Sequence, residues 1–122
     1  MLLLFFLISL LVLHIIGMQG LYYSLNFYDK ILHFIGGITA GLISIEIFRK
    51  NNIKYSGTYL LMSVFIIGIG WELFEFFWDL FLVQKYNLPR MQFGAVDTLF
   101  DLVFDLVGCL VLIVFLNLKK RK

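Results

Sequence analysis

The sequence is poor in cysteine, proline and charge. It has one cysteine and one proline, and charged residues make up 15% of its 122 positions. Cys109 lies inside an apolar run without a second cysteine or a neighbouring base, which excludes a disulfide framework and favours a small core residue over an activated thiol. Because the net charge is only +2 and lysine and arginine occur in short clusters, we expect no nucleic-acid partner.

Signatures of several enzyme classes are also missing from the sequence. No serine, threonine or cysteine is clearly paired with a base, and no glycine-rich phosphate loop precedes a helix. The apolar runs contain no arginine that could bind a phosphate group. These absences weigh against nucleophilic catalysis and against a phosphate-binding enzyme.

Apolar residues dominate what is present. They make up 61% of the chain, whereas soluble domains contain about 45–50%. Apolar runs near residues 2–23, 29–48, 56–83 and 95–118 are each long enough to cross a bilayer. No lysine or arginine precedes the first run and no small-residue cleavage site follows it, so we expect a membrane anchor and not a signal peptide. The sequence predicts one all-α, polytopic domain, a four-helix transmembrane bundle.

The distribution of basic residues predicts the orientation of the bundle. Seven of the ten lie in the second gap or at the C-terminus, and only Lys30, Lys85 and Arg90 lie in the other gaps. The positive-inside rule therefore places both termini in the cytoplasm, and we expect the plasma membrane as the location. Aromatic residues should gather at the outer boundary: Tyr22, Tyr23, Tyr28, Trp78 and Tyr86.

Ionisable residues recur at helical spacing within three of the runs. In the last run, acidic residues four positions apart turn only about 40° per step, so they share one face of a helix over about 12 Å of depth. Similar spacing occurs in "YDKILHF" and "WELFEFFWD" of the second and third runs. The predicted cluster comprises Asp29, His33, Glu72, Glu75, Asp97, Asp101 and Asp105.

The cost of burying charge indicates how this cluster is arranged. An ionised carboxylate at mid-membrane costs about 2.5–3.5 kcal/mol, so the polar faces should turn toward one another or toward a water-filled cavity. The carboxyl groups could share protons, surround a cation, or line a wet pocket for a cationic or metal-bound ligand. Oxygen ligands with one imidazole favour the divalent cations Mg²⁺, Mn²⁺ or Ca²⁺ before Zn²⁺.

Other sequence features have structural explanations. Gly37 and Gly41 form a G-x-x-x-G pattern that allows helices to approach closely in lipid. His14, alone in the first run, is expected to be a neutral, hydrogen-bonding core residue outside the site. Glu46 is expected to form an ion pair with Arg49 or Lys50 at the inner boundary.

Three short motifs in order, "DKILHF", "WELFE" and "DLVFDLVG", resemble those of VanZ-like membrane proteins and of small integral membrane proteins of the YjdF type. The resemblance covers about residues 28–115. The VanZ-like pattern usually has glutamine at the position of Glu75 and asparagine at that of Asp105, so this site is more acidic. The YjdF-like pattern has two glutamates three positions apart, which Glu72 and Glu75 match. It also has two aspartates four positions apart and a later glycine, which Asp97, Asp101 and Gly108 match. The resemblance implies a membrane location and a polar site, and VanZ-like proteins are associated with resistance to teicoplanin-type antibiotics.

Several functions are compatible with the cluster. The protein could bind a cation, or a lipid-linked or amphiphilic envelope ligand, in an outward-facing acidic site. It could instead be a metal-dependent hydrolase or transferase acting on a lipid-linked substrate, with His33 as ligand or general base. The carboxyl groups could also be structural, sharing protons between helices, whereas a transporter would need a polar path that continues beyond Asp105. Membrane lipids are the expected partners, and a homo-oligomer is compatible with the chain.

Overall fold

The computed structural model describes residues 1–25, 27–91 and 93–120, and all the regular elements in these ranges are helical. Four helices are long and apolar enough to span a membrane. They are α1 (Leu2–Ser24), α2 (Tyr28–Lys50), α3 (Gly57–Tyr86) and α4 (Ala95–Lys120). The predicted all-α class and the four spans are confirmed. Arg121 and Lys122, which contribute to the predicted basic C-terminus, lie outside the described residues.

The ends of the helices extend beyond the predicted apolar runs. The largest difference is in α3, which passes through a π-helical turn at Asp79–Val83 and continues to Tyr86. It ends at Asn87, whose φ of 52° lies in the left-handed region that asparagine tolerates. Hydropathy marks the part of a helix that suits lipid, but backbone hydrogen bonding continues through polar residues until a residue caps the helix.

A kink near the end of α1 was not predicted. Gly20 has a φ of 128°, a conformation that residues with a Cβ atom rarely adopt, and it separates the long apolar part of α1 from its last turn. The kink brings Tyr22 back toward the part of α1 that precedes it, so that its hydroxyl lies 2.7 Å from Nδ1 of His14. His14 is thus hydrogen-bonded, as expected.

The closest packing in the bundle is between α2 and α4. A Cβ atom at Gly37 would overlap the carbonyl oxygen of Asp105, and one at Gly108 would overlap that of Phe34. A Cβ at Gly41 would lie 2.7 Å from a methyl group of Leu112. The predicted role of the G-x-x-x-G pattern in helix packing is confirmed. The hydrophobic core beside this contact contains Ala40 of α2, Leu60 and Val64 of α3, and Cys109 of α4, and Cys109 is fully buried as predicted.

The two ends of the bundle differ in character. The connections α1–α2 and α3–α4 lie at one end, here named the site end, and the α2–α3 connection lies at the opposite end. At the opposite end Arg49 donates to Glu46 at 2.6 Å, which confirms that ion pair.

The aromatic residues at the site end do more than mark a boundary. Tyr23 donates to the carbonyl oxygen of Arg90 at 3.0 Å, and Trp78 donates to that of Pro89 at 3.1 Å. Tyr28 lies at the same end but is buried, and it donates to the carbonyl oxygen of Leu13 at 2.6 Å. Tyr23 and Trp78 therefore hold the α3–α4 connection, and Tyr28 joins α2 to α1.

Candidate functional site

Lys30 is the centre of an ion-pair group at the site end. Its ammonium donates to Oδ1 of Asp101 at 2.6 Å, contacts Oδ1 of Asp97 directly, and lies 3.4 Å from Oδ2 of Asp29. Its side chain is only 12% exposed. Lys30 is not a member of the cluster predicted from the sequence, and the structure places its ammonium among three of the cluster's carboxyl groups. A long side chain at the start of α2 can turn inward, and the facing carboxylates compensate its charge.

His33 occupies the centre of a second group, one turn deeper along α2. Its Nδ1 lies 3.4 Å from Oδ2 of Asp105, and its Nε2 lies 3.9 Å from Oδ1 of both Asp29 and Asp101. Oε1 of Glu72 is 3.8 Å from the same Nε2. A buried imidazole thus faces carboxyl groups from three helices. Both nitrogens have acidic neighbours, so the ring can stabilise negative charge on either side.

Helical spacing explains how these side chains meet. Asp29 and His33 are one turn apart on α2, and Asp97, Asp101 and Asp105 follow one another at the same interval on α4. Because α2 and α4 run parallel and touch through glycines, successive turns of one helix face successive turns of the other. The predicted acidic face of the last helix therefore lies against the polar face of the second.

The structure also identifies a hydroxyl group that the sequence did not. The Thr98 hydroxyl donates to Oε2 of Glu72 at 2.7 Å. The expectation that no hydroxyl is paired with a base is corrected by this contact. The two residues are far apart in the chain, and no local motif marks them as neighbours.

Glu75 faces another part of the interior. Its Oε1 accepts a hydrogen bond from Nε1 of Trp71 at 2.7 Å. It lines a cavity of about 340 Å³ between α1, α2 and α3, which His14 and His33 also line. Glu72 and Glu75 are both buried, but they lie on two sides of the polar region.

The predicted residues therefore fall into four sets. Asp29, His33 and Asp101 can each offer one ligand atom, with all three atoms within 4.8 Å of one another. Glu72 and Asp105 lie beside His33, and Glu75 faces the cavity. Asp97 is linked to Asp101 by Lys30, whose ammonium contacts both carboxyl groups. All seven predicted residues thus lie in one polar region, and three of them bring ligand atoms close enough together to share one metal ion.

Comparison with known proteins places the chain in a family. Residues 1–122 match the family described as "Predicted membrane protein (DUF2238)". Over 94 residues the chain is 37% identical to a protein of Thermotoga maritima named "Uncharacterized protein", covering 72% of this chain and 46% of that protein. The chain thus spans about half the length of this curated relative. No solved structure matches the chain. Since the family match includes all of residues 1–122, the protein belongs to the DUF2238 family of predicted membrane proteins.

Proposed function

We propose that this membrane protein binds a divalent cation between Asp29, His33 and Asp101. The observation that supports the proposal most directly is the convergence of these donors from two helices within 4.8 Å. Two oxygens that each lie about 2.3–2.6 Å from a calcium ion are at most about 5 Å apart, whereas the shorter bonds of Mg²⁺ require closer donors. The spacing therefore favours Ca²⁺ over Mg²⁺, and Mn²⁺, which also takes carboxylate ligands, serves as the spectroscopic probe.

Charge balance supports the same proposal. The polar region contains six carboxyl groups, those of Asp29, Glu72, Glu75, Asp97, Asp101 and Asp105, and Lys30 is the lysine that touches them. One ammonium group, even together with a protonated His33, cannot compensate six ionised carboxylates in a low-dielectric interior. A divalent cation would supply further positive charge, and Glu72 and Asp105 lie close enough to orient the imidazole of His33.

The proposal gives Lys30 a specific part. Its ammonium occupies Oδ1 of Asp101, an oxygen that the metal ion would use. Lys30 and the cation therefore compete for the same carboxylate, and the lysine would have to turn toward Asp97 when the ion binds. Removing the ammonium should strengthen cation binding, which a purely structural ion pair would not predict.

We place the site near the outer face of the plasma membrane, with both termini in the cytoplasm. Arg49, Lys50 and Lys54 lie at the opposite end of the bundle, which the positive-inside rule assigns to the cytoplasm. The resemblance to VanZ-like and YjdF-like proteins supports a role at the cell envelope.

The test is titration of detergent-purified protein with Mn²⁺, followed by electron paramagnetic resonance of the free ion. We expect stoichiometric binding by the wild type, a loss of at least about tenfold in affinity for Asp101→Asn and His33→Ala, and tighter binding by Lys30→Met. Glu46→Gln, at the opposite end, is the matched control and should bind as the wild type does. Absence of stoichiometric binding of both Mn²⁺ and Ca²⁺ by folded wild-type protein would refute the proposal.

A further inference from the structure

The cavity between α1, α2 and α3 has an apolar body. Leu7, Leu10 and Leu11 of α1 form one wall, and Ile43 of α2 and Ile67 of α3 lie across from them. Its volume of about 340 Å³ is near the lower end of the range of about 300–1,000 Å³ for small-molecule sites. A cavity of this size suits one hydrocarbon chain better than a two-chain lipid.

One end of the cavity is polar, and that end is acidic. Carboxyl groups of Asp29 and Glu75 line it, together with His33 and the hydrogen-bonded pair of His14 and Tyr22. The carboxyl group of Asp105 lines the cavity farther in, near Gly36 and Gly68. Lysine and arginine are absent from its lining among the described residues. A positively charged head group would therefore be stabilised at this end, and a carboxylate or phosphate would face like charge.

The order of residues along the helices places the polar end toward the site end of the bundle. On α2 the lining residues follow one face of the helix. They begin with Asp29 and His33 at the site end and continue to Ile43, toward the opposite end. On α3 it runs from Glu75 down to Val64. An amphiphile would thus insert with its head beside the acidic region and its chain pointing into the bilayer interior.

α1 gives this cavity a wall that can yield to a ligand. The segment Leu2–Ile16 has no buried residue, so α1 is held less tightly than the other three helices. Its ring contact with α3 is that of His14 against Trp71, with centroids 5.7 Å apart. A ligand arriving from the lipid phase can therefore enter between α1 and α3 without separating the closely packed pair α2 and α4.

We propose that this cavity binds a single-chain amphiphile with an amine head group. The head would contact the carboxyl groups of Glu75 and Asp29, and the chain would lie against the leucines of α1. This goes beyond the cation proposal, because Asp101 does not line the cavity and the amine needs no bound metal ion. Tyr22 and Asp29 also line a second cavity of about 290 Å³ at the site end, so the two cavities are neighbours there.

The experiment measures binding of tritiated dodecylamine to the protein in phosphatidylcholine nanodiscs by scintillation proximity, with EDTA present and empty nanodiscs as the background. We expect saturable, stoichiometric binding. Unlabelled dodecylamine should compete at least about tenfold better than dodecanol or dodecanoate, which have the same chain length but no positive charge. Absence of saturable binding, or equal competition by dodecanol, would overturn the proposal.

Two variants locate the ligand. Glu75→Gln removes one lining charge and should weaken amine binding by about tenfold, while retaining an oxygen that can accept from Trp71. Ile67→Trp should fill the cavity and abolish binding, whereas Ile66→Trp, at the neighbouring position that does not line the cavity and is more exposed, should bind as the wild type does. Equal binding by Ile67→Trp and Ile66→Trp would also overturn the proposal. Because EDTA is present, failure of the cation proposal would leave these results unchanged.

Discussion

The ammonium of Lys30 lies 2.6 Å from Oδ1 of Asp101, whose side chain is only 2% exposed. This contact joins the first turn of α2 to the second turn of α4, at the level where the two helices begin to pack. The buried carboxylate has its nearest positive charge there. The ion pair therefore couples the stability of the bundle to the charge state of the proposed site.

Replacing Lys30 by Met should destabilise the protein. Removing one partner of a buried ion pair costs about 3–5 kcal/mol, because the remaining charge stays buried. The loss of stability in the variant should be largest at alkaline pH and smaller at acidic pH, since a protonated carboxyl group needs no counter-ion. Thermal unfolding in detergent, without divalent cations, measures the difference. Lys85→Met, at an exposed position, is the control, and equal effects of the two variants would contradict this explanation.

Much of the fold follows from the sequence because each span has its own hydrophobic run. Hydropathy does not depend on the other helices, so the number of spans is predictable from local composition. The kink at Gly20 cannot be predicted in this way, because a glycine within an apolar run is also compatible with a straight helix. The inward positions of Tyr22 and Tyr28 depend on that kink and on contacts with α1.

The sequence predicts that the ionisable residues of the cluster form one polar region, but not how they are arranged within it. Asp29 with His33, and Asp97 with Asp101, share helix faces at fixed spacing, which makes a polar region predictable. Which face of α3 meets that region depends on packing between helices. For this reason the pairing of Thr98 with Glu72, the inward turn of Lys30 and the position of Glu75 beside the cavity required coordinates.

Asp79 should control the order of the α3–α4 connection. Its Oδ1 accepts a hydrogen bond from the backbone N–H of Met91 at 2.8 Å, and Met91 is buried. Asp79→Ala removes this charge-assisted hydrogen bond, and we expect the free energy of unfolding to fall by about 1.5–3 kcal/mol. Hydrogen–deuterium exchange of residues 87–91 should become faster. Asp79→Asn keeps an accepting oxygen and should lie between the alanine variant and the wild type. Identical exchange in the alanine variant and the wild type would show that the bond does not order this segment.

Tyr28→Phe should loosen α1. The Tyr28 hydroxyl donates to the carbonyl oxygen of Leu13 at 2.6 Å and thereby ties the middle of α1 to the start of α2. The carbonyl oxygen of Leu13 also accepts a hydrogen bond from the backbone N–H of Gly17, so it keeps a partner in the variant. The free energy of unfolding should therefore fall by only about 0.5–1.5 kcal/mol. Faster hydrogen exchange in α1, with exchange in α4 unchanged, is the expected result. Tyr59→Phe, on an exposed face, should leave both helices as they are, and uniform changes across the bundle would contradict a local role for Tyr28.

Gly37→Ala should be among the most damaging single changes in the bundle. The added methyl group would overlap the backbone carbonyl of Asp105, so α2 and α4 would have to separate. Overpacking of this kind costs about 1–3 kcal/mol, and more where backbone must move. Gly70→Ala is a matched control, because a Cβ atom there meets nothing within 4 Å and alanine favours the helix by about 1 kcal/mol. Thermal unfolding should therefore shift in opposite directions for the two variants. If Gly37→Ala left stability unchanged, close contact of the two helix backbones would not be what positions Asp105 beside His33.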